Sequence, residues 1–201
     1  MRTLVIETAT AACSVALIDD LVVVDWRHEV VGRGHAERLV PMIAELENGG
    51  RADAILVDCG PGSFTGIRVG IAAAKGLAIG WGVPVRGYTS TAVIAAAHLI
   101  EGKREALAVV LEGGHGEVFM QGYCYPLAAT DVLVSLTPAA AFTQLGKRIA
   151  VGSGLRFLED IVGIDALPDA RDARLLSADY ANLDPRPIYG RAPVAKPAQN
   201  T

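Results

Sequence analysis

The residues best placed to do chemistry run Asp58-Cys59-Gly60-Pro61-Gly62-Ser63-Phe64-Thr65-Gly66-Ile67-Arg68-Val69-Gly70. The apolar run Ala54-Ile55-Leu56-Val57 precedes them, and a small-residue helical pattern follows to about Ile79. The local pattern is strand, glycine-rich turn, helix. Such a junction cradles a phosphate when the free N–H groups and positive end of the helix point at it. It serves equally as a tight turn that lets a helix pack closely on a sheet. Spacing decides against the standard phosphate motifs. Walker A needs G-x-x-x-x-G-K-[ST], whereas here three residues separate Gly62 from Gly66, five separate Gly60 from Gly66, and no Lys follows. The dinucleotide pattern G-x-G-x-x-G fails by one residue, because Gly60-Pro61-Gly62 is followed by Ser63-Phe64-Thr65-Gly66. What remains for a phosphate is an anion contact from Ser63, Thr65 and Arg68.

Other chemistry is sparser. The histidines are His28, His35, His98 and His115; no pair has metal-ligand spacing and no carboxylate cluster accompanies one. Nucleophilic catalysis needs a Ser or Cys, a base and an orienting acid. Ser63 does not sit in G-x-S-x-G, and nothing in the sequence assigns Cys59 a base. The chain has the frame of a nucleotide enzyme without its working parts, and no catalytic residue, metal or cofactor is expected. A peptidase or nucleotide hydrolase working through the Gly60–Gly70 turn is the alternative.

The elements that must position this turn follow in order. Leu4 to Thr8 reads as a buried strand ending in the acid Glu7, Cys13 to Ile18 as a second and Leu21 to Trp26 as a third, together a meander. A strand that ends in an acid and hydroxyls, then hairpins back, also opens the actin-like ATPase and ribonuclease-H-like folds. Leu39, Met42, Ile43 and Leu46 recur at i, i+3, i+4, i+7, which predicts an amphipathic helix. Pro41 falls inside it, so the helix either starts near Val40 or is kinked there. In the helix after the glycine turn, Ile67, Ile71 and Ala78 form one stripe, flanked by Gly66, Gly70, Ala73, Ala74 and Gly80. Interior glycines cost helix stability, so something packs very close: the protein's own sheet, or another protein's helix.

A short strand Val83–Gly87 and a helix from Thr89 to about Ile100 come next. Ala106 to Glu112 repeats the opening design, with an apolar strand, a terminal acid, a small-residue turn and a returning strand from Glu117. Two related lobes are implied: residues 1–103, a smaller lobe over 104–190, and an extended or disordered tail over 191–201. The second lobe is predicted to hold a strand Asp131–Ser135, a helix Pro138–Leu145, a strand Arg148–Val151, and helices near Leu155–Val162 and Ala173–Leu183.

Composition sets the outer bounds. The 201 residues are 51% hydrophobic with a mean hydropathy of +0.35, enough for a sizeable core. Aromatics are only 5%, so close backbone approach dominates the packing. The net charge of -4 is spread along the chain, with no basic block of the kind that lines a nucleic-acid groove. Cys13, Cys59 and Cys124 are scattered and odd in number, as free thiols in a reducing compartment would be. No signal peptide is read at the start, and Arg68 and Lys75 break the longest apolar zone. A cytoplasmic α/β protein with no membrane association is expected.

The glycine stretch Gly60–Gly70 resembles the signature of the TsaB (YeaZ) family, bacterial accessory proteins of tRNA threonylcarbamoyladenosine (t6A) biosynthesis. The likeness extends through Ala72–Ala78, and His35–Ile43, Gly116–Phe119 and Pro187–Arg191 fit in order. The resemblance implies a two-lobed actin-like ATPase fold, mixed sheets flanked by helices, that has lost its own catalysis. It implies a scaffold that pairs with the TsaD-type catalytic subunit. With the TsaE-type ATPase, the pair supports threonylcarbamoyl transfer to adenosine 37 of ANN-decoding tRNAs. tRNA is then met only through the complex, and the isolated chain could form a homodimer. The pairing surface implied is the first two helices, here His35, Arg38, Leu39, Met42, Ile43, Gly66, Gly70, Ala74 and Leu77. The link from Leu46 to Asp53 is shorter than the family pattern, and Glu7 stands where Asp is usual.

Overall fold

The computed structural model describes residues 1–100, 103–159 and 161–190. The opening meander forms as expected: β1 (Arg2–Glu7), β2 (Ala12–Asp19) and β3 (Val22–Val30). β3 runs four residues past the expected end at Trp26 because its pairing with β2 continues to Ala12–Val30. α1 (His35–Ala44) is followed by a 3-10 turn (Glu47–Gly50), β4 (Ala54–Asp58), α2 (Phe64–Trp81), β5 (Val85–Tyr88) and α3 (Ser90–His98). α1 passes through Pro41, an exposed residue, and does not restart at Val40. The short link after it closes because Asn48 and Gly49 take left-handed backbone angles, with φ of 54° and 64°.

The first sheet has the order β3-β2-β1-β4-β5. β1 pairs antiparallel with β2 and parallel with β4, and β5 adds parallel to β4. The second sheet begins with β6 (Ala106–Gly114) and β7 (Glu117–Cys124), to which β8 (Ala128–Ala129) and β9 (Val134–Leu136) pair. α4 (Pro138–Leu145), β10 (Ile149–Val151) and β11 (Gly163–Ile164) follow, with β10 parallel to β6 and β11 parallel to β10. β9-β7-β6-β10-β11 thus repeats the connectivity of β3-β2-β1-β4-β5. The repeat inferred from two acid-tipped strands is therefore real in topology, but the acids are not equivalent. Glu7 is buried, whereas Glu112 is exposed and pairs with Arg156.

Three expectations for the second half need correction. The strand placed at Asp131–Ser135 lies at Val134–Leu136. The helices placed near Leu155–Val162 and Ala173–Leu183 are 3-10 turns, Ser153–Phe157 and Ala170–Leu175. Both are too short to sustain an α-helix alone, and each ends where Leu158 or Leu176 turns extended. α3 also ends two residues early, at His98. The tail over 191–201 lies outside the described residues.

α3 lies between the sheets. Its buried Ala92, Val93, Ile94 and Ala95 share one core with Val5, Ala16 and Leu56 of the first sheet and Leu107, Val109 and Leu111 of the second. The 3-10 turn Ala170–Leu175 also returns to the first sheet. There Ala170 N–H donates to Ser14 Oγ at 3.1 Å and Arg171 stacks 3.7 Å from the Trp26 ring. Beyond it, Leu183 bridges to Gly87, and Ile188 N–H donates to Cys59 O at 2.7 Å. The last described segment therefore straps across the carboxyl ends of β4 and β5.

Candidate partner-binding surface

The glycine turn is packed against its own chain. Ser63 N–H donates to Ala9 O at 2.6 Å, and Thr8 Oγ1 donates to Gly66 O at 2.8 Å. A Cβ at Gly62 would sit 1.9 Å from Ala9 O, one at Gly66 2.1 Å from Thr8 O, and one at Gly70 2.4 Å from Thr8 Oγ1. These glycines let the start of α2 lie directly on the β1–β2 turn. Of the two meanings open for the motif, tight packing is the one this geometry realises.

The expected anion set is distributed accordingly. Ser63 Oγ caps α2 by accepting from Gly66 N–H at 3.2 Å. Thr65 is exposed on the first turn. The Arg68 guanidinium lies 3.3 Å from the Phe64 ring centre and 5.5 Å from that of Tyr189, and the two rings stack at 5.4 Å. Arg68 thereby helps clamp the C-terminal strap to α2. Cys59 is buried, and its thiol is pushed up to about 12 by burial first and then by the Asp58 charge.

Beneath the turn lies a buried acid pair. Glu7 ends β1 and Asp58 ends the adjacent parallel strand β4; both are 0% exposed. Glu7 Oε1 accepts from Ala9 N–H at 2.8 Å, and Oε2 accepts from the Tyr88 hydroxyl at 3.2 Å. Asp58 accepts from Gly60 N–H at 2.6 Å and from Ser90 Oγ at 2.5 Å. The two carboxyls are close enough for each to act on the other's titration. Burial holds the Glu7 carboxyl well above the usual range, and the Asp58 charge adds to the shift. Burial raises Asp58 as well, opposed by its hydrogen bonds. Through Ala9 N–H and Gly60 N–H the two acids fix the chain as it leaves β1 and β4.

The pairing surface expected on α1 and α2 requires correction at residue level. Leu39, Met42 and Ile43 are at most 3% exposed, and Ala74 is 0% exposed. With Ile67, Ile71 and Ala78 they face the protein's own sheet. Gly66 and Gly70 are buried on the same side. His35 is also internal, its Nε2 3.0 Å from Ala12 O. Arg38 bonds to Glu29 and Glu45, with Nε to Glu29 Oε2 at 2.8 Å and Nη1 to Glu45 Oε1 at 2.6 Å, which anchors α1 to β3. Of the expected set, Leu77 is only half-buried. The pairing surface came from the family resemblance; the apolar spacing of Leu39, Met42 and Ile43 itself reports the core, because a helix buries its apolar stripe first.

The opposite faces are open and carry mostly small and apolar residues, with Glu37 on α1 and Lys75 on α2 as their charges. From α1 they offer Ala36, Val40, Pro41 and Ala44; from α2, Ala72, Gly76, Ile79 and Gly80. Val40 is 58% exposed and Ile79 is 85% exposed. A Cβ at Gly76 or Gly80 would meet nothing within 4 Å. No helix among the described residues is long and apolar enough to cross a membrane.

Comparison with known proteins bears on this surface. The family model described as TsaD, tRNA N6-adenosine threonylcarbamoyltransferase, matches residues 28–149. The solved structure of YeaZ from Pseudomonas aeruginosa superposes with a TM-score of 0.79 at 28% identity, covering 94% of this chain and 99% of that one. The chain belongs to the TsaB (YeaZ) family. The Escherichia coli protein named tRNA threonylcarbamoyladenosine biosynthesis protein TsaB is 36% identical over 128 residues, 61% of this chain and 55% of that protein. A Mycobacterium tuberculosis relative, itself uncharacterized, is 32% identical across 96% of this chain and 93% of its own length. The ethanolamine utilization protein EutJ from Carboxydothermus hydrogenoformans shares the fold alone, with a TM-score of 0.53 at 12% identity over 87% of this chain and 89% of that one. The duplicated sheets are the two halves of the actin-like ATPase fold that was expected.

Proposed function

We propose that this TsaB-family chain is a non-catalytic scaffold of tRNA modification in the cytoplasm. In this role it pairs with a TsaD-type catalytic subunit and, with a TsaE-type ATPase, supports threonylcarbamoyl transfer to adenosine 37 of ANN-decoding tRNAs. The observation that carries the proposal is the open outer face of α1 and α2, where exposed apolar and small residues outnumber the charges Glu37 and Lys75. Small residues on it let another helix pair approach closely, as 3.6-residue ridges need shallow grooves. Exposed apolar residues gathered on one face mark an interaction site. The Ser63 hydroxyl serves as a helix cap, and Cys59 is held as a buried thiol; both facts favour a scaffold over a hydrolase built on this turn.

The test is pairing. The chain mixed with the TsaD-type subunit should elute as a stable heterodimer from a sizing column, and the mixture should restore t6A to unmodified tRNA in the presence of the ATPase. Ile79→Glu or Ala72→Arg should abolish the complex while leaving the circular dichroism and melting temperature near wild type. A buried unpaired charge costs several kcal/mol, on the order of a hundredfold or more in affinity. Leu39→Glu should instead unfold the chain, since its side chain is fully inside. The isolated chain run at rising concentration tests whether the same face also closes a homodimer. Normal pairing by both outer-face variants would place the partner elsewhere.

A further inference from the structure

Two short basic runs interrupt this acidic chain. Both read Gly-Lys-Arg, Gly102-Lys103-Arg104 and Gly146-Lys147-Arg148, and they hold the sequence's only adjacent pairs of Lys and Arg. Lys103 and Lys147 are two of its four lysines. The runs are far apart in sequence, but the fold brings them together. One leads into β6 and the other into β10, and these strands pair in parallel with Leu107 opposite Ile149. Parallel pairing necessarily sets the two strand entries side by side at one end of the second sheet.

There Lys103, Arg104, Lys147 and Arg148 line a cavity of about 590 Å³ with Gln144 and, among the described residues, one acid, Glu105. The four cations are not equivalent. Arg148 is committed to the framework: it pairs with Asp131, and its Nη2 and Nε donate to Gln144 O at 2.7 Å and Leu145 O at 3.2 Å. It thereby covers the carbonyl end of α4, which would otherwise repel an anion. Lys103, Lys147 and Arg104 have no carboxylate partner among the described residues. Arg104 Nη1 donates to His98 O at 2.9 Å, while its Nε is shut off from water with no acceptor among the described residues. A buried donor without an acceptor is a cost that a bound oxyanion would remove.

We propose that this cavity seats backbone phosphates of the tRNA that the complex modifies, so that this chain itself contributes an RNA contact. The assignment of the polyanion as tRNA rests on the proposed function; the preference for phosphate does not. No aromatic side chain lines the cavity, so nothing there stacks a base. The contact is then to the backbone and independent of sequence. Lys103 and Lys147 are exposed and reach along a chain of phosphates rather than enclosing one small ion. None of the lining residues belongs to α1 or α2, so the cavity is built apart from the proposed pairing face.

The experiment is a fluorescence anisotropy titration of labelled, unmodified tRNA transcript across a salt series. It compares wild type with Lys103→Glu/Lys147→Glu, each alone and mixed with the TsaD-type subunit. The double variant should bind about tenfold or more weakly and show a salt slope shallower by about 2, roughly one phosphate contact per lysine. Elution of the same samples as a heterodimer separates failure of this inference from failure of the scaffold assignment. Unchanged affinity and slope in the double variant overturn the inference, as does a lack of tRNA binding in both preparations. Inorganic phosphate added at constant ionic strength distinguishes the sources. Displacement of tRNA by millimolar phosphate beyond that by matched chloride would make this a small-anion site and overturn the RNA assignment.

Discussion

Glu7 and Asp58 occupy adjacent strand ends where two full charges would have to share a dry space. Burial therefore keeps a proton on the pair, held chiefly at Glu7. The sign of the pH dependence follows from proton binding. Unfolded, the Glu7 carboxyl ionises in the ordinary range; folded, it holds its proton to well above that range. Between the two the folded state binds more protons, so stability is fully present at low pH and is lost as pH rises through the folded value. Glu7→Gln keeps an oxygen for Ala9 N–H but removes the titration. Its urea midpoint should equal or exceed that of wild type at neutral pH, and the gap should widen as the solution becomes more alkaline. A gap that narrows would mean that Glu7 is ionised in the fold. Asp58→Asn should be the more damaging exchange, by about 1–3 kcal/mol, because it substitutes a donor for an oxygen that now accepts from Gly60 N–H or Ser90.

At the scale of elements, α2 separates what sequence discloses from what it hides. Its stripe was legible because Ile67, Ile71 and Ala78 repeat at helical spacing, whereas Ser63, read from the sequence as an anion contact, caps its start. Which flank faces solvent was not, because Gly70 and Gly76, or Ala72 and Ala74, are chemically the same residue. Only the neighbouring β1–β2 turn tells them apart. That difference can be measured. Gly76→Ala, with open space around its Cβ, should raise stability by about 1 kcal/mol, the usual gain for relieving glycine in an exposed helix. Gly66→Ala should lower it, since the new methyl meets the Thr8 carbonyl. Thermal melts of the two variants should move in opposite directions. If Gly76 also lies under the partner, its stabilised variant should pair less tightly.

At the scale of the molecule, the sequence suggests a cut near residue 103, and the second sheet does begin just after it. The packing nonetheless crosses that line twice. α3, from the first half, fills the space between the sheets, and the Ala170–Leu175 turn and the strap to Tyr189 come back from the second half. Such returns leave no periodic signature, because one hydrogen bond from Ala170 or one ring under Arg171 is a tertiary event. They do have a thermodynamic signature. With α3 in one core with residues of both sheets, neither sheet keeps its core once the other opens. Both tryptophans, Trp26 and Trp81, lie in the first half, so their fluorescence reports the first sheet, whereas far-ultraviolet circular dichroism reports all elements. The two urea transitions should coincide, as a single cooperative unit requires. Ile94→Ala, which empties a site 2% exposed, should shift both by the same amount, about 2–5 kcal/mol. A fluorescence midpoint that separates from the circular dichroism midpoint would instead show that each half holds its own core, and that α3 belongs energetically to one of them.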